Sequence, residues 1–236
     1  MRDVPESEVP WGRDVLRAVA AVPAERPAAV MVRHSERESL TDMNEAHLIP
    51  LTAQGEEAAR AFGRHLPAGR TVRALHSPIS RCAVTAARVV EGYRSAGGDA
   101  ALAGVLPELG GPYVLDLPAT IRISNELRAR YPRAWFDGDL PPGVAMPRDE
   151  ASDLTLTGVD KVLRGAAAGT LLVLVTHDWN VLLVRESVLG LRFEDVGWID
   201  YLDGLLMVSD GAGLEVSWRE HSRRVAVPAS APEPQR

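Results

Sequence analysis

The chain has 236 residues, 46% of them hydrophobic and 25% charged, with a formal net charge of -6. That length suits one α/β domain with an insertion, and the acidic balance argues against a general nucleic-acid binder, whose affinity rests on a basic surface. A single cysteine, Cys82, excludes an internal disulfide framework and any multi-cysteine zinc site.

Residues 1–27 read as an N-terminal arm with one short helix near Arg13 to Val22. Acids and prolines stand where a signal peptide needs a continuous apolar core. No apolar run reaches about 18 residues, so no membrane span is expected. These features predict a soluble, cytoplasmic protein. Lys161 is the sole lysine and every other basic residue is arginine, so planar forks that fit phosphate are available wherever a site needs them.

The run AAVMV (28–32) has strand length and no polar alternation, as in a strand covered on both faces. It ends on Arg33, His34, Ser35, Glu36 and Arg37, an imidazole among guanidinium groups where an ordinary strand end would turn. LTAQGEEAARAFGRHL (51–66) predicts a helix with Thr52 as N-cap and acids in its early turns. TVRALHS (71–77) predicts a second strand, and PISRCAVTAARVVEGY (78–93) a helix with proline in its first turn. A third strand is expected within 100–109.

From Gly110 to Thr157 the pattern is less regular and predicts an inserted cap (110–157) holding one helix over 124–131 and a Pro/Gly/Asp-rich loop from Pro132 to Asp153. GVDKVLRGAA (158–167) reads as helical. GTLLVLVTHD (169–178) is the most apolar strand, followed by a helix over 179–190 that stops on glycine. A terminal hairpin is expected around Asp210 and Gly211, and residues 223–236 read as a disordered tail after a domain spanning 28–222.

This β–α alternation predicts a mainly parallel, doubly wound α/β sheet with helices on both faces and ligands at the carboxyl ends of the strands. Arg33 and His34 end one strand, Ser77 and Pro78 a second, and Thr176, His177 and Asp178 a third, with Arg81 one turn into the helix after the second. Two histidines and two or three arginines therefore converge on one edge.

In that order, VRHSER, LTAQGEEAARAFGRHL, SPISRCAVTA and LVTHD resemble the motifs of the histidine phosphatase superfamily, the phosphoglycerate mutase and acid phosphatase group. The resemblance spans roughly residues 28 to 190, and four motifs in order at matching strand ends are specific where one Arg-His pair is not. It implies a phosphoglycerate mutase-like fold and a metal-independent phosphomonoesterase without cofactor. His34 is then the nucleophile that becomes phosphorylated, and Arg33, Arg81 and His177 bind the phosphoryl oxygens. The mutase-like branch places its proton donor at Glu108. The acid-phosphatase branch places it at Asp178 and adds a second arginine, which Arg37 matches. The short chain favours the mutase-like branch and Glu108, with Asp178 second and readable as a simple helix cap.

The family's glycine after the nucleophile is Ser35 here, so a special backbone angle at that point would be costly. CAVTAAR (82–88) matches the Cys-x5-Arg skeleton of thiol phosphatases, but it lacks the loop glycines of that class and suits a helix interior. The expected substrate is a small-molecule phosphate ester rather than a phosphoprotein, with no nucleic-acid or membrane partner. A mutase and a non-catalytic binder of phosphorylated ligands remain as alternatives. Tyr113, Arg122, Arg128 and Trp135 are candidate contacts to a leaving group.

Overall fold

The computed structural model describes residues 8–209 and 213–227. Its core is a seven-stranded sheet in the order β3-β2-β4-β1-β5-β6-β7. The strands are β1 (Ala28–Arg33), β2 (Thr71–His76), β3 (Asp99–Val105), β4 (Thr170–Thr176), β5 (Gly204–Ser209), β6 (Leu214–Trp218) and β7 (His221–Val225). β3, β2, β4 and β1 run parallel, whereas β5, β6 and β7 are each antiparallel to the strand before them in the sheet.

β1 is continuously apolar because both of its faces are covered. Ala28, Val30 and Val32 join one hydrophobic core and Ala29 and Met31 the other, following the two-residue period of a strand. The first face is covered by α1 (Arg13–Ala21), α2 (Ala53–Arg64) and α3 (Ser80–Ser95). On the second lie α4 (Leu117–Leu127), α5 (Tyr131–Phe136), α6 (Arg148–Arg164) and α7 (Asp178–Leu189), with the short α8 (Phe193–Val196) after them. The buried Val15, Leu16 and Val19 of α1 fix the N-terminal segment to the first core. No helix among the described residues is long and apolar enough to cross a membrane.

The strands and the helices around them lie close to their expected positions, and Thr52 caps α2 by accepting from the Gly55 amide at 2.8 Å. The region 110–157 differs. α4 starts at Leu117, seven residues before the expected helix, because Asp116 caps it and Pro118 sits in its first turn. Much of the expected loop 132–153 is helical, with α5 in its first part and α6 starting at Arg148 rather than 158. The third strand ends at Val105 and is followed by a 3-10 turn, Pro107–Leu109. β7 extends the paired sheet to Val225, past Ser222. The expected hairpin turn at Asp210 and Gly211, and the last nine residues of the expected tail, lie outside the described residues.

Candidate active site

Three parallel strand ends build the site. The His34 amide donates to the Thr176 carbonyl at 2.8 Å and the Ser77 amide to the Val175 carbonyl at 2.9 Å, so the sheet ladder itself fixes the spacing of the first and second histidine segments. His34 is 2% exposed. Its Nδ1 lies 2.7 Å from the Ser35 carbonyl, which only accepts, so the proton sits on Nδ1 and Nε2 keeps its lone pair.

Arg81, delivered by the first turn of α3, joins both histidines. Its Nε donates to His34 Nε2 and its Nη2 to His177 Nδ1, each at 3.0 Å, while Nη1 donates to the Ala46 carbonyl. A guanidinium only donates, so His177 Nδ1 is an acceptor and its Nε2–H points to Ser77 Oγ, 2.9 Å away. The two imidazole rings stand 5.6 Å apart at 71°. Burial, then the Arg81 charge, holds His34 well below the ordinary imidazole range. The same two causes, in the same order, lower His177 to about 3. Both rings are therefore neutral at pH 7.

Arg33 is held from three sides. Nη1 donates to the Ile199 carbonyl at 2.7 Å, Nη2 lies 3.3 Å from Asp178 Oδ2, and the guanidinium carbon sits 4.2 Å from the centre of the Tyr201 ring. Asp178, in the first turn of α7, also accepts from the Trp198 indole at 3.2 Å. Burial pushes its carboxyl up, but the Arg33 charge and the Trp198 indole hydrogen bond oppose it, and the group lies below the ordinary range.

A cavity of about 890 Å³ opens over this cluster, lined by His34, Arg37, Arg81, His177 and Asp178 among others. Glu108 is not among the lining residues. It lies on the 3-10 turn after β3 with its side chain against Gly158 of α6, where a Cβ would come within 2.7 Å of its Cγ, and its Oε2 is buried without a partner. Of the two candidate donors, Asp178 is the one that lines the cavity. Asp178 also opens α7 instead of preceding it, with His177 at the N-cap position.

Ser35 is fully buried, accepting nothing unusual of its backbone. The non-glycine residues with positive φ among those described are Arg128, Leu202 and Arg219, so serine carries no left-handed penalty here. Its amide donates to Thr85 Oγ1 at 3.1 Å and its hydroxyl to the Gly55 carbonyl at 2.6 Å. Cys82 is buried in the first core, where desolvation pushes its thiol up to about 12. A protonated thiol in a helix interior does not support the thiolate alternative.

The model of the histidine phosphatase superfamily (branch 1) matches residues 29–204. The chain belongs to this superfamily. Among solved structures, the chain resembles YhfR of Bacillus stearothermophilus, with a TM-score of 0.58 and 16% identity, over 80% of this chain and 95% of that one. It also resembles a mycobacterial glucosyl-3-phosphoglycerate phosphatase in complex with VO3, with a TM-score of 0.57 and 16% identity, over 86% and 100% of the two chains. A phosphoglycerate mutase from Bacillus anthracis matches with a TM-score of 0.51 and 16% identity, over 86% and 94%. At such identities the likeness concerns the fold. No curated protein matches the chain in sequence.

Of the candidate leaving-group contacts, Tyr113 and Arg128 line the cavity and Arg122 lines a neighbouring depression. Trp135 is buried, stacked 4.2 Å from Tyr113 with its indole donating to the Met146 carbonyl. Sequence reasoning missed Trp198 and Tyr201, which come from a segment without any motif. It also missed Asn180, whose amide donates to the Leu109 carbonyl at 2.9 Å and to Thr176 Oγ1 at 2.8 Å while accepting from the Tyr113 hydroxyl at 2.6 Å. That network ties the end of β4 to the turn after β3. Its signal was the four-residue spacing of Thr176, at the end of β4, and Asn180, in the first turn of α7.

Proposed function

We propose that this histidine phosphatase hydrolyses phosphate monoesters of small molecules through a phosphohistidine on His34. The observation that carries the reading is the Arg81 fork between His34 Nε2 and His177 Nδ1, beside a neutral nucleophile. A phosphoryl group entering the cavity takes over the Arg81 donors now engaged by the two imidazoles. Its charge favours a proton on His177 Nδ1, which then donates to another oxygen, and Arg33 stands beside them as a second positive charge. Preorganised donors of this kind stabilise the charge spread over the equatorial oxygens in transfer.

His34 Nε2 attacks phosphorus as the bond to the leaving oxygen breaks, and that oxygen takes a proton from the Asp178 carboxyl. Bound phosphoryl charge engages Arg33 and repels the Asp178 carboxylate, both of which raise the carboxyl's pKa and favour its protonated form. A water then gives its proton back to Asp178 and attacks phosphorus, the N–P bond breaks, and inorganic phosphate leaves. Arg37, on the cavity wall, adds positive charge to the same end.

The test is hydrolysis of an aryl phosphate with metal chelated, for wild type, His34→Ala and Cys82→Ser. Activity should vanish in the histidine variant alone, and rapid quenching of wild type at high pH should trap one acid-labile phosphoryl group per chain. Loss in a folded Cys82→Ser protein with His34→Ala active would overturn the assignment. Transfer to a second alcohol in preference to water would redirect it to a mutase.

A further inference from the structure

The phosphoryl-binding end occupies a small part of the cavity. Its volume of about 890 Å³ is near the top of the roughly 300–1,000 Å³ range of pockets that enclose drug-sized ligands. Beyond the histidines most of the wall surface is hydrocarbon. The segment after β1 contributes Leu40 and Met43, α4 contributes Leu117 and Ile121, and Trp179 and Trp198 add two indoles. Leu117 is 60% exposed and Trp198 38%, and apolar side chains left open around a cavity mouth mark a surface that a ligand covers.

The polar groups on the wall are mostly engaged within the protein or stand exposed: Asn44 donates its side-chain amide to Asp42 Oδ1 at 2.8 Å, and Thr41 and His47 are exposed to solvent. Asp178 is the sole carboxylate among the lining residues. Arg37 and Arg128 donate to the Glu38 and Thr41 carbonyls, each at 2.8 Å, and Thr120 is turned to the Val144 carbonyl. Ser124 on α4, 2% exposed and lining the cavity, has a hydroxyl with no partner. It offers one buried hydrogen bond in a mainly apolar wall, an arrangement that orients a ligand without solvating many hydroxyls.

We propose that the substrate is the phosphate monoester of a bulky, mainly hydrocarbon alcohol, aromatic or long-chain, and not of a compact polyol. The inference rests on the phosphoryl-transfer reading of the His34 site. A polyol would reach His34 and Arg81 yet bury most of its hydroxyls against leucine, isoleucine and indole surface, where partners are few. A hydrocarbon body covers the same wall and adds its burial to the binding of the transition state.

The experiment compares kcat/KM for glycerol phosphate, a hexose 6-phosphate, 2-naphthylmethyl phosphate and dodecyl phosphate below its micelle concentration. All four are alkyl esters with poor leaving groups, so each needs the same proton. At least one of the two hydrocarbon esters should exceed both polyol esters by about 100-fold or more, since a single methylene in an apolar pocket is worth roughly 10-fold or more. Comparing naphthylmethyl with dodecyl separates an aromatic from a long-chain substrate. Ile121→Asn, checked for folding by circular dichroism, should lower the hydrocarbon-to-polyol ratio about 10-fold. Equal or faster turnover of the polyols would overturn the inference and leave the phosphohistidine intact. No turnover of any ester and no trapped phosphoryl group would sink the underlying reading, and the inference with it.

Discussion

Asp203 gives a prediction whose size follows from the structure. It is 6% exposed at the start of β5, and its backbone carbonyl accepts from the Arg33 amide at 3.0 Å. Burial raises its carboxyl from 3.8 to about 6, against the opposing pull of the Gly204 amide, 2.8 Å away, and of Arg219. With a folded pKa above the unfolded one, the native protein holds the proton longer, so stability falls as pH rises from about 4 to 6. The shift is roughly two pH units, worth about 3 kcal/mol at 1.36 kcal/mol each, and the group is too buried for solvent to screen it away.

Asparagine is close in shape to the protonated acid and its Oδ1 can still accept from Gly204. Asp203→Asn should therefore gain about 3 kcal/mol relative to wild type between pH 3.5 and pH 7.5, or about 6–12 °C in Tm for a chain of this size. The assay is urea unfolding of both proteins at each pH. His34 and His177 titrate in the same range with the opposite sign, because their lowered pKa values cost stability as pH falls below 6.5. They are common to both proteins and cancel in the difference. A difference constant to within about 1 kcal/mol across that range would refute the argument.

Asp178→Asn should lower kcat/KM for alkyl phosphates by about 10²–10⁴-fold and for 4-nitrophenyl phosphate by much less, because that leaving group departs without a proton, whereas Glu108→Gln should show no such split. The reverse pattern in steady-state assays would return the donor role to Glu108. Gly55→Ala should cost about 1–3 kcal/mol of stability and reduce kcat, since its Cβ would stand 2.1 Å from the Glu36 carbonyl oxygen and displace the carbonyl that holds Ser35. Thermal melts and turnover measured together check this, and an unchanged kcat would show that the Ser35 anchor does not matter to His34.

The buried strands were legible because two-sided burial leaves a plain apolar run, and the site histidines because each follows such a run directly. Arg81 was legible from its place one turn into a helix that starts at a strand end. The cap was not. The first two turns of α4 carry Thr120, Ile121 and Ile123, β-branched residues whose stiff side chains suit strands as well as helices. β7, His221–Val225, is a polar edge with four exposed residues in its burial pattern, so no alternation announces it. The choice between Glu108 and Asp178 depended on which way each side chain turns. Gly158, fifty residues downstream, decides that for Glu108 by leaving room for it on α6.

The hydrogen bonds that run from His34 to Thr176 and from Ser77 to Val175 place the chemistry on the last rungs of the central ladder, whose amides are the final ones to open when such a sheet unfolds. The apolar wall belongs mostly to other segments, the crossing after β1 and α4 of the cap, which make few ladder bonds. Substitutions on that wall can accumulate without loosening the reacting groups. One scaffold can thus diversify in what it recognises while its reaction stays the same.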